Sequence, residues 1–113
     1  MHLKRIDLHI HTVSTEIEEA FDFSIEALAE HVSANSLDAI AVTNHNIFDK
    51  PNFVEVREGL PGTIVLPGVE VSVEKFHILV IGSPEYVETL SEKCEQLPHI
   101  RQGDEGIELD RVV

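Results

Sequence analysis

The sequence contains one cysteine, no tryptophan and only eight lysine and arginine residues, against 21 aspartates and glutamates. A single cysteine cannot form an intrachain disulfide, which excludes the disulfide-stabilised secreted domains. The net charge of −13 argues against a protein that binds nucleic acid on its own, because phosphate attraction requires clustered basic residues. No apolar run is long enough to cross a bilayer, and no signal-peptide core follows Lys4 and Arg5. We therefore expect a cytoplasmic protein that does not enter the membrane.

What remains is the composition of an ordinary globular domain, with 42% hydrophobic residues in a chain of 113. Apolar runs alternate with amphipathic stretches, which predicts an α/β fold with mostly parallel strands and about three helices. We assign residues 1–97 to this unit and residues 98–113 to an acidic tail or linker. A seven- or eight-stranded α/β barrel normally needs roughly twice this length, so the chain is expected to form a partial barrel.

The hydrophobic periodicity locates the individual elements. Strands are predicted at residues 3–11, 37–43, 64–66, 69–73 and 76–81, and helices from about residue 24, at 51–60 and from about residue 84. Ser24 is the expected N-cap of the first helix. Asn35 is expected to adopt the left-handed conformation at the C-terminal end of that helix. The run 37–43 is too apolar to be exposed on either face, which predicts a buried strand.

The most informative stretch is Asp7-Leu8-His9-Ile10-His11-Thr12 at the end of the first predicted strand. Side chains alternate along a strand, so His9 and His11 are expected to leave the same face, in a geometry that can chelate a metal. Ile6, Leu8 and Ile10 would then share the opposite face and pack against helices. The alternative is one histidine on a solvated strand face and one hydrogen-bonded in a loop.

Three further apolar runs end or begin with a side chain that can bind metal, namely His45, Glu70 and His77. In a parallel α/β arrangement the carboxyl ends of strands meet at one edge, where ligands from separate strands converge. A mixed imidazole and carboxylate set suits zinc, manganese or iron better than calcium or magnesium. Glu70 could instead cap a turn or pair with Lys75, and His77 could be a hydrogen-bonded core histidine.

Together these motifs resemble those of the polymerase and histidinol phosphatase (PHP) family of metal-dependent phosphoesterases. The family's H-x-H after an acidic residue resembles residues 7–12, its T-D-H-N resembles 43–46, its P-G-x-E resembles 67–70, and its H-x-L resembles 77–79. The resemblance covers about residues 3–82 and implies the N-terminal portion of a PHP-type α/β barrel.

The resemblance also implies a function. It identifies five catalytic and metal-binding residues, which are His9, His11, His45, Glu70 and His77. One to three divalent zinc, manganese or iron ions would activate a water that hydrolyses a small phosphorylated substrate. Glu16 stands where the family usually has an aspartate, and it is a sixth candidate metal ligand. Asn44 replaces the usual aspartate of the second motif, and we interpret it as a hydrogen-bonding group beside the ligands.

The family completes its site with a further histidine and a D-x-H motif, and neither follows His77 in this sequence. The chain would then be a fragment, a module of a longer polypeptide, or a protein completed by a partner. The last strand is expected to be parallel and to leave an open sheet edge, which a homo-oligomer or a C-terminal half could cover. Two other functions stay open: a non-catalytic PHP module acting in assembly or regulation, and a plain α/β binding domain with coincidental histidines. His2, His31 and His99 are interpreted as structural or incidental, and Cys94 as a small buried hydrophobe.

Overall fold

The computed structural model describes residues 3–13, 21–73 and 76–95. Over these residues the chain forms three α-helices and one curled, mixed sheet of four strands in the order β1-β2-β3-β4. Several predictions lie outside the described residues: the candidate ligand Glu16, the positions of His2, Lys75 and His99, and the acidic tail 98–113. Within the part described, no helix has the length and apolarity needed to span a membrane.

The α/β architecture and the number of helices agree with the sequence prediction. The strands are β1 (Ile6–Ile10), β2 (Ala39–His45), β3 (Ile64–Val73) and β4 (Phe76–Ile81). The helices are α1 (Ile25–Ala34), α2 (Lys50–Gly59) and α3 (Val87–Cys94), and a short 3-10 turn at Pro84–Tyr86 precedes α3. The two segments predicted at 64–66 and 69–73 form one continuous strand.

Gly68 explains why β3 continues through the Pro-Gly pair. Pro67 and Gly68 pair with Val42 and Thr43 of β2 in an uninterrupted register. A Cβ atom at Gly68 would lie 2.9 Å from both the Thr43 Cγ2 atom and the Val80 carbonyl oxygen. Glycine is therefore required here by the close approach of the neighbouring strands, and it does not mark a turn.

The direction of the last strand differs from the expectation. β1 and β3 are parallel to β2, whereas β4 is antiparallel to β3, so the expected terminal parallel strand is wrong. Only two residues separate β3 from β4, and a parallel connection needs a crossover of a dozen or more. This reversal brings the start of β4, where His77 pairs with Ser72, to the edge at which β1, β2 and β3 end.

Helices α1 and α2 each begin at a residue whose side chain caps the helix. The Ser24 hydroxyl oxygen accepts from the Ala27 N–H at 3.2 Å, and the Asp49 carboxylate accepts from the Asn52 N–H at 2.9 Å. The left-handed residue at the end of α1 is Ser36, with φ 52°, and not Asn35, whose φ is −101°, so that expectation is wrong. Asn35 instead contributes its side chain, whose Nδ2 donates to the His31 carbonyl oxygen at 2.9 Å.

The hydrophobic core lies between the three helices and one face of the sheet. Its buried members are Leu28, Val32, Ile40, Val42, Phe48, Phe53, Val56, Leu60, Val65 and Val87. Six of the seven β2 residues are buried, which confirms the buried strand, although it starts at Ala39 and extends to His45. Cys94 packs at the edge of this core, and burial raises the pKa of its thiol to about 11.

A bulge in β1 reverses the side-chain alternation between its two ends. Ile6 pairs with Ala39 and Ile10 with Val42, and residues three apart on β2 face opposite ways. The expectation that Ile6 and Ile10 share one face is therefore wrong. Ile10 packs on the core, whereas Ile6 is exposed. The Asp7 carboxylate accepts from the His9 N–H at 3.1 Å and so bridges the irregular segment.

Candidate metal centre

Glu70 is the central residue of the site. It lies near the end of β3, where it pairs with His45 on one side and with Leu79 on the other. Its side chain is 5% exposed. A carboxylate this deeply buried requires partners that compensate its lost hydration.

Four imidazoles surround the Glu70 carboxylate, two at each oxygen. Oε1 contacts the Nε2 atoms of His9 and His11, the latter at 3.0 Å. Oε2 lies 2.8 Å from His77 Nδ1 and 3.4 Å from His45 Nδ1. The structure thus brings together five of the six candidate ligands, and the sixth, Glu16, is outside the described residues.

The rings form a row across the end of the sheet. Ring centroids are 5.0 Å apart for His9 and His11, 4.4 Å for His11 and His45, and 6.0 Å for His45 and His77. This order follows the strand order β1, β2, β4, with Glu70 of β3 beneath it. Because β4 is antiparallel, its ligand His77 lies near the beginning of the strand and not near its end.

The donor set could hold a metal ion. Two groups, His9-His11-Glu70 and His45-Glu70-His77, each place one ligand atom per residue within 4.8 Å of the others. Ligand atoms around a tetrahedral zinc ion, at about 2.0–2.2 Å from the metal, lie roughly 3.3 Å from one another. The distances from Glu70 to His11, His77 and His45, at 3.0, 2.8 and 3.4 Å, are close to that value. The two groups share Glu70, one oxygen facing each.

The histidines also set the charge state of Glu70. Burial raises the pKa of this carboxyl, but hydrogen bonds from His9 and His11 and the positive field of His45 outweigh it, so the pKa lies below its ordinary value. The ionised form therefore stabilises the folded chain above the ordinary carboxyl range. That stabilisation is lost as the pH falls through the lowered pKa. At neutral pH the site holds a carboxylate, the form that binds a cation.

Asn44 fixes the loop that follows His11 through hydrogen bonds and is not directed at Glu70. Its Oδ1 accepts from the N–H groups of Thr12 at 2.7 Å and Val13 at 2.9 Å. Its Nδ2 donates to the Thr12 hydroxyl at 3.1 Å, and that hydroxyl donates in turn to Asn52 Oδ1. Because Asn44 and Thr12 are both buried, no water can replace these contacts.

Asn44→Leu should therefore destabilise the chain strongly. The substitution leaves two backbone N–H groups without acceptors, and we expect the free energy of unfolding to fall by about 2–4 kcal/mol in a urea titration. Asn44→Asp is the matched comparison, because it keeps both acceptor contacts and loses only the donor to Thr12. It should cost clearly less. Equal losses for the two variants would show that the backbone contacts are not what Asn44 contributes.

Sequence reasoning missed Asn46 and Ser72, which hold the other side of the site. Asn46 is left-handed, with φ 55°, and its N–H donates to the Glu70 carbonyl oxygen at 2.8 Å. Its Oδ1 accepts from the Ser72 N–H at 2.8 Å, and the Ser72 hydroxyl lies 3.5 Å from His77 Nδ1. Asparagine tolerates this backbone region better than most residues, which was the available signal.

His31 has a structural role, which is one of the two interpretations that the sequence left open. Its Nε2 lies 3.3 Å from Asp7 Oδ2, so α1 is tied to β1 just before His9.

A scan of the chain against protein-family models finds no match, and a search of curated proteins finds none either. The chemistry of the site has therefore to be argued from its own residues.

Proposed function

We propose that the chain is a metal-dependent phosphoesterase built on the N-terminal portion of a PHP-type α/β barrel. One observation carries the proposal: a single buried carboxylate, Glu70, has two imidazoles at each of its oxygens. The two ligand groups that share Glu70 would hold the divalent ions, which would supply an activated water for hydrolysis of a phosphate ester.

The chain's own residues bind and orient. Glu70, His11 and His45 form the floor of the centre, since their side chains are the less exposed members of the set. His9 and His77 form its rim, with side chains 51% and 55% exposed, so a phosphate can approach from the solvent side. A divalent ion held there supplies an activated water and neutralises charge on the phosphate oxygens.

A serine nucleophile does not compete with this proposal. Ser72 and Glu70 both lie near His77, but both contact the same ring nitrogen, Nδ1. A nucleophile–base–acid relay needs the two partners on opposite nitrogens of the imidazole. Ser72 therefore acts as a support for the His77 ring.

A non-catalytic PHP module is the second candidate, and one observation favours it. β4 is an edge strand among the described residues, its sequence holds no charged residue, proline or glycine, and Phe76 on it is 70% exposed. Natural edge strands usually carry such protection against pairing with other chains. A chain that serves assembly would expose such a strand and bind metal without turnover.

Hydrolysis of p-nitrophenyl phosphate tests the proposal. We expect slow release of p-nitrophenol that depends on added manganese or zinc, and loss of at least about 100-fold in rate in Glu70→Gln and His45→Ala. Glu55→Gln makes the same chemical change at an exposed position of α2 and should keep the wild-type rate.

Three outcomes discriminate between the candidates. Undiminished turnover in Glu70→Gln would place the chemistry on other residues. Metal bound without any hydrolysis would favour the non-catalytic module. Turnover of roughly 10 s⁻¹ or more, typical of complete enzymes, would contradict the expectation that this chain holds only part of a catalytic site.

A further inference from the structure

A groove of about 300 Å³ opens beside β1, next to the candidate metal centre. Four of its eight lining residues are apolar, namely Ile6, Leu8, Leu37 and Leu79, and the other four are polar, namely Asp7, His9, His31 and Asn35. Ile6 and Leu79 are exposed to solvent there. A volume near 300 Å³ is at the lower end of the range for small-molecule sites.

The groove is continuous with the metal centre. His9 lines the groove and also contacts Glu70. Leu79 pairs directly with Glu70 across β3 and β4, which places the two side chains next to each other on one face of the sheet. A ligand whose phosphate lies over the imidazoles would therefore extend onto the leucines.

The bulge in β1 contributes to this groove. Ile6 pairs with Ala39, which lies on the same face of β2 as His45, and His45 pairs with Glu70. Without the bulge, Ile6 would share the core-facing side of Ile10. The irregularity thus adds an apolar side chain to the face that carries Glu70.

Hydrogen bonds hold the far wall of the groove in place. Asn35 Nδ2 lies 3.2 Å from His31 Nδ1, and His31 Nε2 lies 3.3 Å from Asp7 Oδ2. Asp7 Oδ1 accepts from the His9 N–H. The wall is therefore tied to the backbone of His9, and the groove is formed before a ligand binds.

We propose that this groove binds the alcohol part of the phosphate ester and selects esters of apolar alcohols, aryl or branched alkyl, over sugar phosphates. The inference rests on the proposed phosphoesterase function. An apolar body would cover the exposed leucine and isoleucine surface, whereas the hydroxyl groups of a sugar would lose water against that surface. The polar side chains of the far wall, Asp7, His31 and Asn35, already hydrogen-bond to one another.

Leu79→Asn tests the proposal by kinetics, with phenyl phosphate and glycerol 2-phosphate as substrates. We expect KM for phenyl phosphate to rise roughly tenfold, as for the loss of one apolar contact, with KM for glycerol 2-phosphate changed less than about twofold. Val80→Asn makes a similar change on the opposite face of the same strand and should alter neither value. Leu37→Asn should repeat the effect from the other wall.

Binding gives a readout that does not need turnover. Phenylphosphonate resists hydrolysis, and in the metal-loaded protein it should shift the NMR methyl signals of Leu8, Leu37 and Leu79 while leaving Val80 unchanged. Methylphosphonate has no aryl body and should leave Leu37 unchanged.

The outcomes separate this inference from the proposed function. Hydrolysis of both esters with unchanged KM in Leu79→Asn and Leu37→Asn overturns the groove assignment alone, as does phenylphosphonate binding without leucine shifts. If the protein binds metal but hydrolyses neither ester, the proposed function is wrong, and the methyl shifts with phenylphosphonate then show whether the groove still binds an apolar group. A protein that binds no metal overturns both.

Discussion

Glu70→Gln should abolish binding of every transition-metal ion at the site. His11→Ala should weaken binding only at the ligand group that contains His11. Glu70 belongs to both ligand groups, and His11 belongs to only one. Replacing the shared carboxylate removes a negative charge and one ligand from each group. We expect the dissociation constants of the Glu70→Gln variant for zinc and manganese to be at least about 100-fold higher than those of the wild type, in calorimetric titrations of chelator-treated protein.

The comparison includes its own controls. Glu55→Gln removes an exposed carboxylate of α2 and should leave the titration unchanged. His11→Ala should retain binding by His45, Glu70 and His77. If Glu70→Gln titrates like the wild type, the imidazoles do not depend on the carboxylate, and the shared-ligand interpretation is wrong.

Removing metal should also lower the thermal stability of the wild-type chain by a large margin. An ion that binds only the folded state at about 1,000 times its dissociation constant contributes roughly 4 kcal/mol. For a domain of this size that corresponds to about 15 °C or more in Tm. Melting curves followed by circular dichroism, with and without EDTA, measure the difference directly.

The stability effect has a specific signature. It should be absent in Glu70→Gln, because that variant has no ion to lose. The Tm of the wild type should rise with the concentration of added zinc or manganese and then level off. An EDTA effect of the same size in wild type and Glu70→Gln would place the stabilising metal elsewhere on the chain.

The sequence was sufficient to predict the elements that obey simple periodicity. Leu28 and Val32 recur at helical spacing behind a Ser24 cap, and α1 forms there. The apolar run ending at Thr43 became the buried β2. Each of these features depends on residues close together in the chain, so local patterns are informative.

The structure differs from the sequence prediction mainly where the local conformation depends on pairing with another strand. The bulge between Asp7 and Ile10 depends on the register with β2, and no residue in β1 marks it. The direction of β4 could have been predicted, since two residues after Val73 are too few for a parallel crossover. The left-handed residue is Ser36 because the helix extends as far as Asn35, and the N–H groups of Ser36 and Leu37 then bond to the carbonyl oxygens of its last turn.

In the candidate metal centre, too, local patterns identified the ligands but not how the sheet arranges them. The five ligand candidates were identified from strand ends, but the central position of Glu70 depends on how β2 and β4 flank β3. The supports Asn46 and Ser72 act across two strands, 26 residues apart in the chain, which no local motif encodes. Contacts of this kind require the assembled sheet.

Elemental analysis of the wild-type chain, purified without chelator and dialysed against metal-free buffer, tests the central claim most directly. A centre built on Glu70 and four histidines predicts about one or two zinc, manganese or iron ions per chain. The same preparation of Glu70→Gln should contain almost none. A folded wild-type chain that carries no transition metal, and takes up none when it is supplied, would contradict the account.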